Sequence, residues 1–356
     1  MDSSRGTKGA ILACANLSLH TRGEYLSKTI LKRLPGLPRL KRSTIGLLLA
    51  LGCNLVFLLG KPVRADAPVF WLAPPDNRAD FQDFFDRPGL WSRTARMTDT
   101  FSLNVPYLLS NDPETLKRRL QTLTSLGIKI NVSIPSLQAD KKICGYDVEG
   151  MIWPGELQLM ATKLKALGIE PESFSLDLPL TSGHISNAKH ACHFSIRETA
   201  ERLALEIHGL RKLYPNAKLI DSEVPTGMPP ERWATILREW TDTFKQASGE
   251  SFYGVALDVW WKSPWQDSAL NSTNMLKSKG IRPGIFLDAS AGRELTAPEW
   301  ISEAKVNGCK VRGAGLNFQY IIVSNWLNMK VPSLPETNPE SLTALLDWAA
   351  AGMSCE

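Results

Sequence analysis

The sequence ESFSLDLPL, residues 172–180, decides the fold of this chain. It predicts a short buried strand that ends on the carboxylate Asp177 and is broken by Pro179. Three later stretches have the same construction, an apolar run that closes on an acid. They are AKLIDSEVP (217–225), YGVALDVWW (253–261) and RPGIFLDAS (282–290). Because each run follows a segment with helical spacing, the pattern indicates a repeated β-strand and α-helix unit.

The acids at the ends of these runs are the main functional clue in the sequence. Parallel strands joined by helices bring all their C-terminal ends to one side of a sheet. We therefore expect four side chains to meet on one face: Asp177, Glu223, Asp258 and Asp288. A single Asp in this position is also common as a helix N-cap or a turn former. Four such acids in successive runs favour a shared site.

The whole region from residue 66 to residue 356 alternates between strand and helix patterns. The other strand candidates are VFWLAP (69–74), DTFSLNV (99–105), IKINVSIP (128–135) and YIIVS (320–324). Helix starts between them carry capping signals, such as Asp112 before Pro113 and the Ser195/Glu198 capping box. Eight strands alternating with helices predict an α/β protein with a (β/α)₈ TIM-barrel fold. A doubly wound sheet is the alternative, but Pro74 and Pro75 stand where its Gly-rich phosphate loop is expected.

The N-terminal region has the pattern of an export segment. Residues 1–43 form a basic leader, predicted to be disordered, and residues 44–60 form an uncharged apolar run. A basic flank before such a run is typical of a signal peptide or a signal anchor. Cleavage is expected after Ala65, which gives a leader (1–43), a signal or anchor (44–65) and a barrel domain (66–356). We therefore predict a secreted, periplasmic or membrane-anchored protein that faces outside the cytoplasm. If uncleaved, residues 44–60 would contact the membrane as a transmembrane helix.

Composition and cysteine usage narrow the partner classes further. The formal net charge of +5 comes partly from the basic leader, and no basic stripe with interleaved aromatics argues for nucleic-acid binding. Cys144 and Cys192 follow adjacent strands, so in an oxidising compartment they could form a disulfide, and two free thiols are the alternative. Cys309 and Cys355 complete four cysteines, whose pairing the sequence leaves open. No CxxC or Cys/His spacing suggests zinc. Three histidines near Cys192 have a spacing that can bind a metal, but solvated loop residues are the favoured interpretation of His184, His190 and His193, so we predict neither metal nor cofactor.

The active site of a TIM barrel forms at the C-terminal ends of its strands. Besides the four acids, the residues expected there as substrate-binding groups are Asn104, Trp153, Trp260, Trp261, Asn325 and Trp326. Paired carboxylates suit glycoside hydrolysis, in which one protonates the leaving oxygen and the other attacks the anomeric carbon or activates water. On these residues the chain resembles the TIM-barrel glycoside hydrolases as a broad class, over about residues 69–350. The resemblance implies a carbohydrate as the substrate or ligand.

The resemblance supports two different assignments of the acids. An α-amylase-like arrangement would make Asp177 the nucleophile, Glu223 the acid/base and Asp288 the stabiliser. An α-galactosidase-like arrangement would use Asp177 as nucleophile and Asp258 as acid/base. The chain departs from the first pattern at Ser175, where an Arg is expected, and it lacks the Asn-Glu and DxxDxDxE signatures of related barrels. Two alternatives remain, a metal-dependent sugar-processing barrel and a non-catalytic carbohydrate-binding barrel.

Overall fold

A computed structural model describes residues 67–139, 143–225, 228–290, 295–326 and 330–355. Residues 67–356 form one compact unit. The predicted leader (1–43) and the predicted signal or anchor (44–65) lie outside the described residues, so both stay predictions. In the part of the chain that the structure describes, no helix has the length and apolar character needed to cross a bilayer.

Eight parallel strands close into a barrel, as the alternating pattern predicts. In chain order they are β1 (Val69–Ala73), β2 (Thr98–Asn104), β3 (Lys129–Pro135), β4 (Ser173–Asp177), β5 (Lys218–Glu223), β6 (Gly254–Leu257), β7 (Arg282–Leu287) and β8 (Tyr320–Ser324). Each strand pairs with its neighbours in sequence, and β1 pairs with β8 to close the ring. The TIM-barrel prediction is therefore confirmed.

Helices cover the outside of the barrel. They are α1 (Asp83–Asp86), α2 (Ser92–Met97), α3 (Val105–Ser110), α4 (Pro113–Ser125), α5 (Glu156–Ala166), α6 (Ile196–Leu213), α7 (Pro230–Ser248), α8 (Trp265–Ser278), α9 (Ala297–Gly313) and α10 (Leu342–Ala350). The capping signals act as predicted: Asp112 accepts a hydrogen bond from the Thr115 amide, and Ser195 forms a capping box with Glu198. These local signals fix where the helices begin.

Within the stretch 172–180 that predicts the fold, the strand itself covers only Ser173–Asp177. β4 ends at Asp177 because Leu178 adopts a positive φ of 49°, and a short π-helix (Thr181–Ile185) follows it. A two-stranded parallel pair, Leu137–Gln138 with Met151–Ile152, lies between β3 and α5. Backbone that is strained or irregular next to a strand end often marks a functional region.

The barrel interior is polar near β2, β3 and β4. Buried Asn131 donates to Ser102 Oγ and to Ser175 Oγ, both at 2.8 Å, and accepts from Ser173 Oγ at 2.7 Å. A buried polar network whose members are hydrogen-bonded rigidifies a fold. The network also shows that Ser173 and Ser175 of β4 face the interior.

The opposite half of the interior is apolar and built around Tyr320. The ring of Tyr320 stacks on Trp71, with centroids 5.2 Å apart. Glycines on β6 and β7 leave room for this ring: a Cβ at Gly254 would lie 2.7 Å from Tyr320 Oη, and one at Gly284 would lie 2.0 Å from a Tyr320 ring carbon. Glycine is therefore required at position 284.

Gly284→Ala is expected to lower the free energy of unfolding by about 1–3 kcal/mol, because the added methyl group overlaps Tyr320 inside a packed barrel. Urea unfolding followed by circular dichroism measures the change. Gly313→Ala in α9 is the matched control, because a Cβ there meets nothing within 4 Å. Equal stability of the two variants would show that Tyr320 does not pack against β7 as described.

Candidate active site at the carboxyl ends of the strands

Asp177, Asp258 and Asp288 come together at the C-terminal mouth of the barrel. Asp177 alternates along β4 with Ser173 and Ser175, which face the interior. Asp258 and Asp288 continue the interior alternation of Ala256 and Phe286. All three side chains are half-buried. Because these three residues continue the interior-facing positions of β4, β6 and β7, three of the four predicted acids come together.

Burial and neighbouring negative charge raise the pKa of all three acids. Burial raises the pKa of Asp177 to about 7, and the negative charges of Glu149 and Asp258 add to the effect. Burial together with Glu149 also raises the pKa of Asp258 to about 7. The pKa of Asp288 lies well above its usual range, because of burial and then the charge of Asp258. Acids enclosed side by side lose protons in steps that belong to the group, so the site holds both ionised and protonated carboxyls near neutral pH.

Asp288 is held by a tryptophan. The indole Nε1–H of Trp261 donates to Asp288 Oδ1 at 2.6 Å, which favours the ionised carboxylate. Trp261 is only 4% exposed and packs edge-on against Trp265, with ring centroids 5.0 Å apart. The prediction that Trp261 binds substrate with its ring face does not fit this placement. The buried indole orients a carboxylate.

Glu223 lies elsewhere, and the expectation that it joins the other three acids is wrong. It alternates with Asp221 on the face of β5 opposite to the interior residue Ile220. Its side chain is 0% exposed, and its oxygens accept from the amides of Leu180 and Thr181 at 2.7 and 3.0 Å. Thr181 Oγ1 donates to Glu223 as well, at 2.6 Å. Glu223 therefore fixes the turn after β4.

Asp221 and Glu223 form a second buried acid pair, outside the barrel interior. Burial and then the charge of Asp221 raise the pKa of Glu223 well above its usual value. Burial also raises the pKa of Asp221 to about 7, while bonds from Trp240 and Glu223 oppose the shift. Burial of two carboxyls side by side therefore favours a protonated form of the pair. This pair stabilises the packing of β5 against α7 through the Trp240 indole, 2.8 Å from Asp221 Oδ2.

Glu223→Gln is expected to lower the free energy of unfolding by about 1–3 kcal/mol, because an amide nitrogen replaces an oxygen that accepts hydrogen bonds. Thermal and urea unfolding measure the change. Glu201→Gln, an exposed position on α6, is the control. A Glu223→Gln variant with control-like stability but no turnover would return Glu223 to a catalytic role.

The remaining predicted site residues divide into exposed and buried groups. Trp260 is 59% exposed and Trp326 is 41% exposed, with the Trp326 ring 5.5 Å from Phe286 of the barrel interior. These two rings offer surface at the mouth. Trp153 is partly buried, and Asn325 is buried at 2% exposure. The former pair fits substrate contact better than the latter pair.

Two acids at the mouth were not predicted from the sequence. Asp76 follows β1, hydrogen-bonds to Asn104 at the end of β2, and has a pKa raised by burial. Its signal was present, since it lies three residues after the end of β1. Glu149 lies in the connection between β3 and α5, where the sequence offers no strand to place it. Its charge nevertheless acts on both Asp177 and Asp258.

Two disulfides are present in the described chain. Cys144 and Cys192 are joined with a Cα separation of 5.0 Å, and they link the connections that follow β3 and β4. Cys309 and Cys355 are joined at 5.7 Å and tie α9 to the C-terminal end. The structure thus selects one of the three pairings that the sequence left open.

Histidines lie beside the first disulfide. The ring of His190 lies against Tyr146, with centroids 3.7 Å apart, and His184 Nδ1 is 2.7 Å from the Phe194 carbonyl oxygen. Among the described residues, no group of three or more His, Cys, Asp or Glu side chains is arranged to hold a metal ion.

Comparisons with known proteins support the fold alone. No protein-family model matches the chain, and no curated protein matches it. A thermostable mutant xylanase from Cellvibrio japonicus is similar in structure, with a TM-score of 0.50, 11% identity, and coverage of 81% of this chain and 98% of that one. The catalytic core of a xylanase A is similar with a TM-score of 0.50 and 11% identity, and the match covers 80% of this chain and 98% of that one. A mutant xylanase A from P. fluorescens subsp. cellulosa, in complex with xylopentaose, has a TM-score of 0.50 and 10% identity, and the match covers 81% of this chain and 98% of that one.

At these identities the likeness establishes the fold alone. Residues 67–356 share the eight-stranded barrel of TIM-barrel glycoside hydrolases, which confirms the broad resemblance at the level of architecture.

Proposed function

We propose that this protein is a glycoside hydrolase whose catalytic centre is Asp177, Asp258 and Asp288. One observation carries the proposal: three carboxylates converge at the mouth of the barrel, with pKa values raised to about 7 for Asp177 and Asp258 and above the usual range for Asp288. Such a group supplies an ionised and a protonated carboxyl together near neutral pH, which is what glycoside hydrolysis needs.

Asp177 is the nucleophile and Asp258 the acid/base in this proposal. Asp258 gives its proton to the glycosidic oxygen while an Asp177 oxygen bonds to the anomeric carbon, and the bond to the leaving alcohol breaks. Asp258, now ionised, takes a proton from water as the water oxygen attacks the anomeric carbon. The Asp177 ester breaks, which releases the sugar and restores both carboxyls. With Glu223 committed to the turn after β4, only this assignment keeps the nucleophile and the proton donor together.

A carbohydrate fits the surroundings of the acids. Trp260 and Trp326 present exposed rings at the mouth, and aromatic faces suit the apolar faces of sugar rings. The bound xylopentaose in one structural neighbour supports a carbohydrate ligand for a barrel of this shape. In its ionised form, which the Trp261 hydrogen bond favours, Asp288 stabilises positive charge that develops on the sugar ring in the transition state.

Hydrolysis of a panel of aryl glycosides and polysaccharides, xylan included, tests the proposed function. We expect release of reducing sugar from at least one member, with an optimum near neutral pH. Binding to glycans without hydrolysis of any would instead favour a carbohydrate-binding barrel.

We also propose that the protein is exported, with the barrel outside the cytoplasm. The uncharged run at residues 44–60 behind a basic leader supports this, as do the Cys144–Cys192 and Cys309–Cys355 bridges, because disulfides persist in oxidising compartments. Cell fractionation with protease protection tests it. A full-length product recovered from the cytoplasm with its N-terminus intact would contradict export.

A further inference from the structure

The connection between β3 and α5 touches the backbone of the catalytic strand. Gly150 has a φ of +77°, and a Cβ on it would lie 2.4 Å from the Asp177 carbonyl oxygen and 2.6 Å from Ser182 Oγ. Only glycine permits this approach, since any other side chain would overlap the end of β4. The residue before Gly150 is therefore held next to Asp177.

The same connection is fastened to the segment after β4 by three further contacts. Cys144 is bonded to Cys192, and the Gly145 amide donates to the His190 carbonyl at 2.7 Å. The ring of Tyr146 lies against the ring of His190. A loop pinned at both ends has little freedom, so the fold sets the backbone position of Glu149, whose side chain is exposed.

We propose that Glu149 is a positioning residue of the catalytic centre, whose negative charge, kept beside Asp177 and Asp258 by the Gly150 contact and the Cys144–Cys192 bridge, holds protons on these two acids. The proposal rests on the proposed function and deepens it. Glu149 does not touch the reacting atoms. It acts through the two acids that do, by making their ionised forms less favourable.

The charged and titratable groups around this position are mostly acidic among the described residues. Asp177 on β4 and Asp258 after β6 are the acids whose pKa the charge of Glu149 raises. Asp288 after β7 acts on Asp258 in turn. Asp147 lies on the same connection and is exposed, and His190 contributes its ring on the connection after β4. Glu149 is the member of this set whose charge raises the pKa of both Asp177 and Asp258.

The test is a pH titration of Asp177 and Asp258 in the Glu149→Gln variant. Carbon-13 NMR of the aspartate carboxyl groups monitors the titration. Removal of the negative charge is expected to move both titrations down by about one pH unit, on the order of the interaction between charges a few ångströms apart. The midpoint of the pH–rate profile should shift the same way. Asp147→Asn, an exposed acid on the same connection, is the control and should shift neither titration.

A double variant separates the charge from its tether. Cys144→Ser with Cys192→Ser keeps Glu149 but frees the connection, so the titrations should move partway toward those of Glu149→Gln. Titrations unchanged in Glu149→Gln would overturn the proposal, and titrations unchanged in the double variant would overturn the role of the bridge. The NMR readout does not need turnover. Shifted titrations in a protein that hydrolyses no glycan would therefore reject the proposed function while supporting the role of Glu149.

Discussion

Asp177→Asn is expected to reduce turnover of every hydrolysed glycoside by about 10⁴-fold or more while the protein stays folded. The amide keeps the size of the carboxyl group but cannot bond to the anomeric carbon as a carboxylate does. Because the attack on the sugar is lost, a better leaving group should not restore the rate. Initial rates on the glycoside panel, with circular dichroism as the check on folding, measure the result.

The same variant is expected to be more stable than the wild type at high pH. The pKa of Asp177 is raised to about 7 by burial and by neighbouring negative charge, from a usual value of 3.8. The unfolded chain therefore releases this proton more readily, and wild-type stability falls as the pH rises from about 4 to about 7. Asn does not ionise, so the variant escapes this loss.

The expected difference in Tm between Asp177→Asn and wild type is thus small at pH 4 and grows up to about pH 7. Scanning calorimetry across this pH range measures it. Asp267→Asn, an exposed acid in the first turn of α8, is the control and should show no such trend. Full activity in Asp177→Asn would refute its role as nucleophile, and a flat Tm difference would refute the enclosed, charged environment of the site.

The barrel was predictable because its signals are local and repeated. Each strand is an apolar run beside a helix start, and caps such as Asp112 and Ser195 lie where the sequence places them. The inward direction of Asp177, Asp258 and Asp288 follows from where β4, β6 and β7 end. Strand ends and helix starts depend on a few neighbouring residues, so one sequence suffices to find them.

The direction of Glu223 was not predictable from periodicity. β5 reads KLIDSE, with apolar residues at both Leu219 and Ile220, so neither face of the strand is marked as the solvent side. Strands of a parallel barrel are buried on both faces, and alternation then does not separate inside from outside. The Leu180 and Thr181 amides that decide the matter come from a distant turn.

Glu149 and Trp261 were missed or misassigned for a related reason. Glu149 is held near the site by a disulfide between cysteines 48 residues apart in the sequence and by a close backbone approach at Gly150. Neither contact has a signature in a single sequence. Trp261 offers both a ring face and an indole donor, and only its burial against Trp265 shows that the donor is used. Such functions depend on contacts between distant segments.

Asp258→Asn is expected to separate the proton donor from the nucleophile. Without the acid, glycosides with basic leaving groups should lose about 10²–10⁴-fold in kcat/KM, whereas aryl glycosides with acidic phenols need no proton for bond cleavage and should lose much less. The slope of log(kcat/KM) against leaving-group pKa should therefore steepen in this variant. Asp288→Asn is the matched comparison, because Trp261 already holds that carboxyl by a hydrogen bond. It should lower the rate on all substrates alike. A steep slope in Asp288→Asn with a shallow one in Asp258→Asn would exchange the two roles, because the acid whose loss is rescued by a good leaving group is the one that donates the proton.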